Sequence, residues 1–253
     1  MHPVLVDLGF VTIHTYGVFI ALAFLGGVGW TWLEARRKGL EAGRVVDLAF
    51  AVFVGALVGA RLLYVLLYLP HYLEHPLEIL MFWEGGMVFS GGAALGGWLG
   101  WRVARGHGMP VSPWLDAAAP GLALGEAIGR LGCFSAGCCY GQLCAMPWAV
   151  TFTDPRSLAV PLNMPLHPTQ IYHSLSGLLT FGLLLALRGR LERRPGSLMG
   201  LFLVLFSLAR FAVEFFRADF RGGLGPFSVT QAVYAVFLCL GLYLMTRKHS
   251  VRS

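Results

Sequence analysis

Seven apolar runs, most of them close to the roughly twenty residues a helix needs to cross a bilayer, constrain this chain more than any other feature. They span residues 16–33, 45–69, 88–103, 115–134, 169–187, 198–216 and 228–245, the third being short and glycine-rich. Only 13% of the residues are charged, against about 25% in soluble domains, so lipid is the expected solvent. No Lys or Arg precedes the first run and no small-residue cleavage site follows it, which reads as a retained span and not a cleaved signal peptide. The expected fold is an all-α integral membrane protein of about seven transmembrane helices. It forms a single polytopic domain over 1–253, with a small extracytoplasmic cap made by the loop at about 135–168.

The breaks between the runs alternate in charge. Arg36, Arg37, Lys38 and Arg44 follow the first run, Arg102 and Arg105 the third, Arg188, Arg190, Arg193 and Arg194 the fifth, and Arg247, Lys248 and Arg252 the last. The second break holds Glu74, Glu78 and Glu84 without a basic residue, the long fourth has Arg156 alone, and the sixth has Arg217 and Arg221 beside Asp219. Thirteen of the nineteen basic residues thus fall on one side. Because Lys and Arg collect on the cytoplasmic side, the C-terminus is expected inside, and the N-terminus and long fourth loop outside. The net charge of +6 is explained by this topology, and no basic, aromatic-interleaved stretch argues for nucleic acid. Glycines four apart (Gly55 and Gly59; Gly92, Gly96 and Gly100; Gly121, Gly125 and Gly129) predict close helix packing in lipid.

Arg61, Arg130 and Arg210 break the loop pattern because each lies in or at the end of an apolar run. A charge at mid-membrane costs on the order of 3 kcal/mol or more, so such residues line a cavity or pair with something. Glu126 precedes Arg130 by four residues and Glu214 follows Arg210 by four, so each pair shares a helix face. Arg130, Arg210, Glu214 and Arg217 all fall near the outer ends of their spans. Guanidiniums gathered there suit an anionic lipid headgroup, because their planar fork grips phosphate and stays charged when desolvated.

Cys133, Cys138, Cys139 and Cys144 lie within twelve residues on the side where a disulfide is permitted. A disulfide or inert thiols, a catalytic or redox thiol, and a metal site all remain open, although the spacing C-x4-C-C-x4-C matches no common zinc pattern and no metal is expected. Cys239 sits in mid-run and reads as core. His14, His167 and His173 are candidate bases near neutral pH, weighed against simple anchoring at an interface.

The ordered pieces His14-Thr15-Tyr16-Gly17, Gly59-Ala60-Arg61-Leu62-Leu63-Tyr64, Glu84-Gly85-Gly86-Met87-Val88-Phe89-Ser90-Gly91-Gly92, Gly129-Arg130-Leu131-Gly132-Cys133-Phe134 running on to Gly141, His167-Pro168-Thr169-Gln170-Ile171-Tyr172 and Arg210-Phe211-Ala212-Val213-Glu214-Phe215-Phe216-Arg217 resemble the bacterial prolipoprotein diacylglyceryl transferases. The resemblance covers nearly the whole chain. It implies an enzyme of the bacterial cytoplasmic (inner) membrane, without a cofactor. That enzyme moves a diacylglyceryl group from phosphatidylglycerol to the lipobox cysteine of a prolipoprotein signal peptide, releasing glycerol phosphate. It further implies catalytic roles for Arg130, Arg210, Tyr16 and Glu214, the last orienting Arg210. Arg61, Ser90, Cys133, Cys138, Gly141, His167 and Arg217 would contact substrate.

The sequence departs from the family pattern at Ser90, where the family has a histidine proposed as the base, and at Cys133, Ala136 and Cys138, where it has two Asn and a Glu. Two alternatives accompany these departures. One is a transferase of the same fold with a different acceptor; the other is a non-enzymatic lipid-binding or thiol-redox membrane protein on the same scaffold.

Overall fold

The computed structural model describes residues 3–9, 12–82, 85–218, 223–224 and 227–247. Glu84, Asp219, Arg221, Lys248 and Arg252, which enter the loop-charge pattern, lie outside the described residues. The order of elements is β1 (Val4–Asp7), β2 (Thr12–His14), α1 (Thr15–Arg37), α2 (Arg44–Leu67), α3 (Leu69–Glu74), α4 (Phe89–Gly106), α5 (Val111–Ala136), β3 (Val150–Thr151), β4 (Pro165–Leu166), α6 (Thr169–Leu191), α7 (Ser197–Glu214), β5 (Gly223–Leu224), β6 (Phe227–Ser228) and α8 (Val229–Thr246). A 3-10 turn at Pro76–Leu80 separates α3 from α4. The strands form three antiparallel pairs, β1–β2, β3–β4 and β5–β6.

Each of the seven apolar runs is helical. Four helices, α1, α2, α6 and α7, have the length and apolar composition to cross a membrane, whereas α5 carries Asp116, Glu126 and Arg130 along its length. Large apolar side chains such as Leu25, Phe50, Leu179 and Val236 are each about two-thirds exposed, on surfaces that only lipid would cover favourably. One boundary differs from expectation. The second run was expected to continue to 69, but α2 stops at Leu67 and Leu69 opens the separate α3. Pro70 is the cause, since it has no N–H to donate and its ring collides with the carbonyl four residues back.

The described chain falls into two compact units, residues 35–114 and residues 1–34 with 115–253. The first is built on α2 against α4. A Cβ added to Gly55 would lie 2.8 Å from the Gly96 Cα, and a Cβ on Gly59 or Gly91 would strike the other's carbonyl oxygen. Both predicted glycine series therefore meet in one seam. With no hydrophobic drive between helices in lipid, this backbone-to-backbone approach supplies the contact that holds them.

In the second unit the third series packs α5 on α1, where a Cβ at Gly27 would lie 3.0 Å from the Gly121 carbonyl oxygen. Gly200 and Gly241 do the same for α7 and α8, each lying 2.8 Å from the other's carbonyl by that measure. Ala119 and Ala123 of α5, Leu184 of α6, Leu198, Met199 and Phe202 of α7, and Leu244 of α8 form the core. Glu34 of α1 pairs with Arg188 of α6 at 2.5 Å.

The buried Asp116 of α5 accepts from the backbone N–H of Gly196 at 2.6 Å and of Met199 at 2.9 Å. It caps the start of α7 from another helix, because the residue at the N-cap position is a glycine with φ +93° and no side chain to offer. The carboxylate also faces the positive end of the helix dipole. The cap loop carries its own small core of Phe152, Ala159 and Leu166, joined by Phe134, Tyr140, Val150 and Leu162.

Asp116→Ala is expected to cost about 1–2 kcal/mol, read as a lower melting temperature in detergent. Asp116→Asn, which keeps an acceptor oxygen, should cost less. An alanine variant that melts with the unsubstituted protein would contradict the capping role.

Candidate functional site

The last turn of α5 organises the site. The N–H of Gly137 donates to Phe134 O at 3.3 Å and that of Cys138 to Cys133 O at 3.1 Å, while Gly137 has φ +77°. This is a Schellman ending, in which a left-handed residue closes the helix and the next side chain folds back over the one five positions earlier. Here the two side chains so paired are Cys138 and Cys133. Cys139 follows with φ +62°, a conformation costly for a residue with a Cβ, and its sulfur joins the other two, all three within 4.8 Å of one another.

The chain beyond is pinned by the start of α6. The fully buried Thr169 and Gln170 donate to Cys139 O at 2.6 Å and Cys138 O at 2.7 Å. Gly141 then donates to His167 O at 2.9 Å, and Gln142 to Phe216 O at 2.8 Å. A Cβ on Gly141 would lie 2.6 Å from the His167 Cβ and 2.9 Å from a Thr169 methyl, so only glycine fits where these three segments meet.

Deeper in the unit, one carboxylate holds two arginines. Oε1 of Glu126 accepts from Nε of Arg130 at 3.1 Å and from Nη2 of Arg210 at 2.6 Å. Arg210 is buried, lies over the rings of Phe206 and Tyr234 at 5.1 and 5.8 Å, and brings Nη1 to 3.5 Å from Nε2 of His173. Its Nε is buried without a partner among the described residues. The two terminal nitrogens of Arg130 likewise make no hydrogen bond among the described residues. A cavity bounded by Glu126, His173, Gly177, Phe206 and Arg210 adjoins this pair.

The expectation that Glu214 orients Arg210 is corrected. Arg210 faces α5, where Glu126 meets it. Glu214, at the end of α7, instead accepts from Ser228 Oγ at 3.1 Å and lies 3.9 Å from Arg217 Nε. Ser228 is engaged there because it caps α8 in a capping box with Gln231. Shared helix face did not decide the partner; the nearer carboxylate across the helix interface did.

Of the other expected residues, Tyr16 stands in the first turn of α1, well exposed, and packs on the α5 backbone where a Cβ at Gly132 would lie 3.4 Å from its ring. His167 shares a hydrogen bond with Tyr172 Oη at 3.0 Å, and Trp148 donates to the same oxygen at 2.8 Å. Arg217 is buried, and its carbonyl accepts from Gln142 Nε2 at 3.0 Å. The structure therefore brings Arg130, Arg210, Tyr16, Glu214, Cys133, Cys138, Gly141, His167 and Arg217 into one unit.

Arg61 and Ser90 belong to the other unit. Arg61 is buried and donates to the carbonyls of Ile79 at 3.1 Å, Gly85 at 2.6 Å, Gly86 at 3.2 Å and Glu78, with the Tyr72 ring 5.4 Å away. Its donors clamp the loop before α4. Ser90 lies in the first turn of α4, partly exposed. His14 ends β2 and is exposed.

His173 and Gln170 were the least legible members. Their signal is the polar stripe Thr169, Gln170, His173, Ser174, Gly177 and Thr180 on an otherwise apolar helix, and this stripe is the buried face of α6. Among the thiols, Cys139 is drawn well below the usual range by its neighbours Cys133 and Cys138, with Arg217 and Arg130 favouring its anion. The Cys138 thiol, which donates to Cys133 O at 3.8 Å, is held well above that range by the same neighbours.

The sequence over residues 3–247 matches the family described as prolipoprotein diacylglyceryl transferase. It is similar to the phosphatidylglycerol–prolipoprotein diacylglyceryl transferase of Clostridium tetani, 32% identical over 96% of each chain. It is also similar to those of Synechococcus elongatus, 36% identical over 95% of this chain and 85% of that one, and Geobacter sulfurreducens, 36% identical over 95% and 92%.

Breaking a buried ion pair by removing one partner costs about 3–5 kcal/mol, because the other charges stay buried. Glu126→Ala leaves two guanidiniums facing each other and is expected to lower stability in detergent by that order. Unchanged melting of this variant would contradict the shared-carboxylate arrangement.

Proposed function

The chain belongs to the prolipoprotein diacylglyceryl transferase family, and we propose that it transfers a diacylglyceryl group from phosphatidylglycerol to the lipobox cysteine thiol of a prolipoprotein. The observation that carries this reading is the Glu126-centred pair of arginines, with donors still open on both Arg130 and Arg210.

Around Glu126 itself, two guanidiniums (Arg130 and Arg210) face one carboxylate, an excess of one positive charge. A phosphodiester headgroup carries one negative charge and offers the oxygens that a guanidinium fork fits. In the reaction the acceptor's thiolate sulfur bonds to the glyceryl carbon bearing the phosphate ester. The C–O bond breaks and its electron pair leaves on glycerol phosphate. Charge therefore builds on the phosphate oxygens during the step, and Arg130 and Arg210 are the groups positioned to stabilise it. Glu126 keeps the two from repelling one another and fixes their direction before substrate arrives, which is the preorganisation that makes such stabilisation effective. Tyr16, Cys133, Cys138, Gly141 and His167 line the approach, and Ser90 cannot take up the acceptor's proton unaided.

The protein is a multi-pass bacterial membrane protein. We place it in the cytoplasmic membrane, with the N-terminus and the 135–168 cap outside and the C-terminus inside. The charge asymmetry of thirteen basic residues in nineteen on one side supports this orientation.

In phosphatidylglycerol proteoliposomes supplied with a lipobox peptide, mass spectrometry is expected to find a diacylglyceryl gain on the peptide cysteine. Arg130→Ala and Arg210→Ala should each lower that transfer about a hundredfold or more, the scale for losing one preorganised charge-stabilising donor. Unchanged turnover in either variant would remove the assigned role. No mass gain, with an established transferase active in parallel, would favour a lipid-binding protein without turnover.

A further inference from the structure

We propose that Cys133, Cys138 and Cys139 form a three-thiolate site for a soft d10 metal cation of the Zn2+, Cd2+ or Cu+ class. The three sulfurs lie within 4.8 Å of one another. A metal–sulfur bond of about 2.3 Å in a trigonal arrangement sets sulfurs about 4.0 Å apart, so less than an ångström of closure completes the site. No disulfide joins the cysteines, and all three are partly buried.

The backbone builds this cluster in a way that the C-x4-C-C spacing does not advertise. The Schellman ending at Gly137 stacks Cys138 on Cys133, the left-handed turn at Cys139 brings the third sulfur in, and the buried Thr169 and Gln170 fix the two carbonyls from α6. Both hydrogen bonds are side chain to backbone and so hold the loop without using a sulfur, while the Cys138 thiol donates to Cys133 O at 3.8 Å, a proton that metal binding would displace.

Metal binding releases the thiol protons to solvent and leaves three thiolates around the cation, a net charge of −1 with a divalent ion. Soft thiolates select zinc, cadmium and cuprous ions over magnesium or calcium. Cys144 is engaged separately, accepting from the Met146 N–H at 3.4 Å, and Cys239 lies on α8.

The test uses the full-length protein in detergent, reduced with a thiol-free phosphine and stripped with chelator, then titrated with Cd2+ alone. The expected result is an ultraviolet sulfur-to-cadmium charge-transfer band saturating at one equivalent. It should be lost in Cys133→Ser, Cys138→Ser and Cys139→Ser and kept in Cys144→Ser and Cys239→Ser. On the unsubstituted chain, equimolar Zn2+ should shield Cys133, Cys138 and Cys139 together from alkylation, counted by peptide mass spectrometry, which does not depend on any variant folding. Absence of the band, its survival in the three serine variants, or alkylation of these thiols at an unchanged rate would overturn the site. Neither readout involves diacylglyceryl transfer, so its failure leaves the transferase reading standing, and the reverse.

Discussion

A single carboxylate, that of Glu126, holds two arginines from different helices, and the chemistry proposed for this membrane protein rests on that arrangement. Moving a guanidinium out of water is costly by several kcal/mol even after relaxation. Arg210 is nonetheless buried, with an aromatic ring on two sides. What makes its place tenable is a 2.6 Å bond to Glu126, which at the same time accepts Arg130 at 3.1 Å. One negative charge between two positive ones links α5 to α7 and leaves this group one positive charge in excess.

Everything nearby serves to keep those helices where the carboxylate needs them. Glycine seams let α1 approach α5 and α8 approach α7 until backbones touch. Asp116 ties the start of α7 to α5 about ten residues before Glu126, and Glu126 ties its far end. α7 is thus held at both ends by carboxylates of one helix. The loop after α5 is fixed by the first turn of α6, and the next turn carries His173 to Arg210.

Much of this was legible in the sequence because lipid imposes simple rules. Apolar runs of spanning length became helices, the glycine spacings became seams, and Arg130 with Glu126 formed the pair their four-residue spacing implied. The same rule misassigned Arg210, since Glu214 shares its face but Glu126 meets it from another helix. Local spacing tells which side chains can meet on one helix and nothing about which helix stands opposite. Arg61 was legible as an unusual charge, yet its four carbonyl partners come from a loop whose path no periodicity encodes. The grouping of the cysteines was plain in the sequence, but the meeting of three sulfurs was not, as two left-handed residues create a proximity that linear spacing conceals. The family resemblance named candidate positions, and the structure shows which side chains surround them.

Lipid retention measured by native mass spectrometry tests whether the arginine pair holds a phosphate headgroup. The protein would be released from micelles containing equal amounts of phosphatidylglycerol and a diacylglycerol with the same acyl chains. Preferential retention of phosphatidylglycerol, reduced towards parity in Arg130→Gln and Arg210→Gln, is expected. Equal retention of both lipids by the unsubstituted protein, or a preference that survives both substitutions, would contradict it.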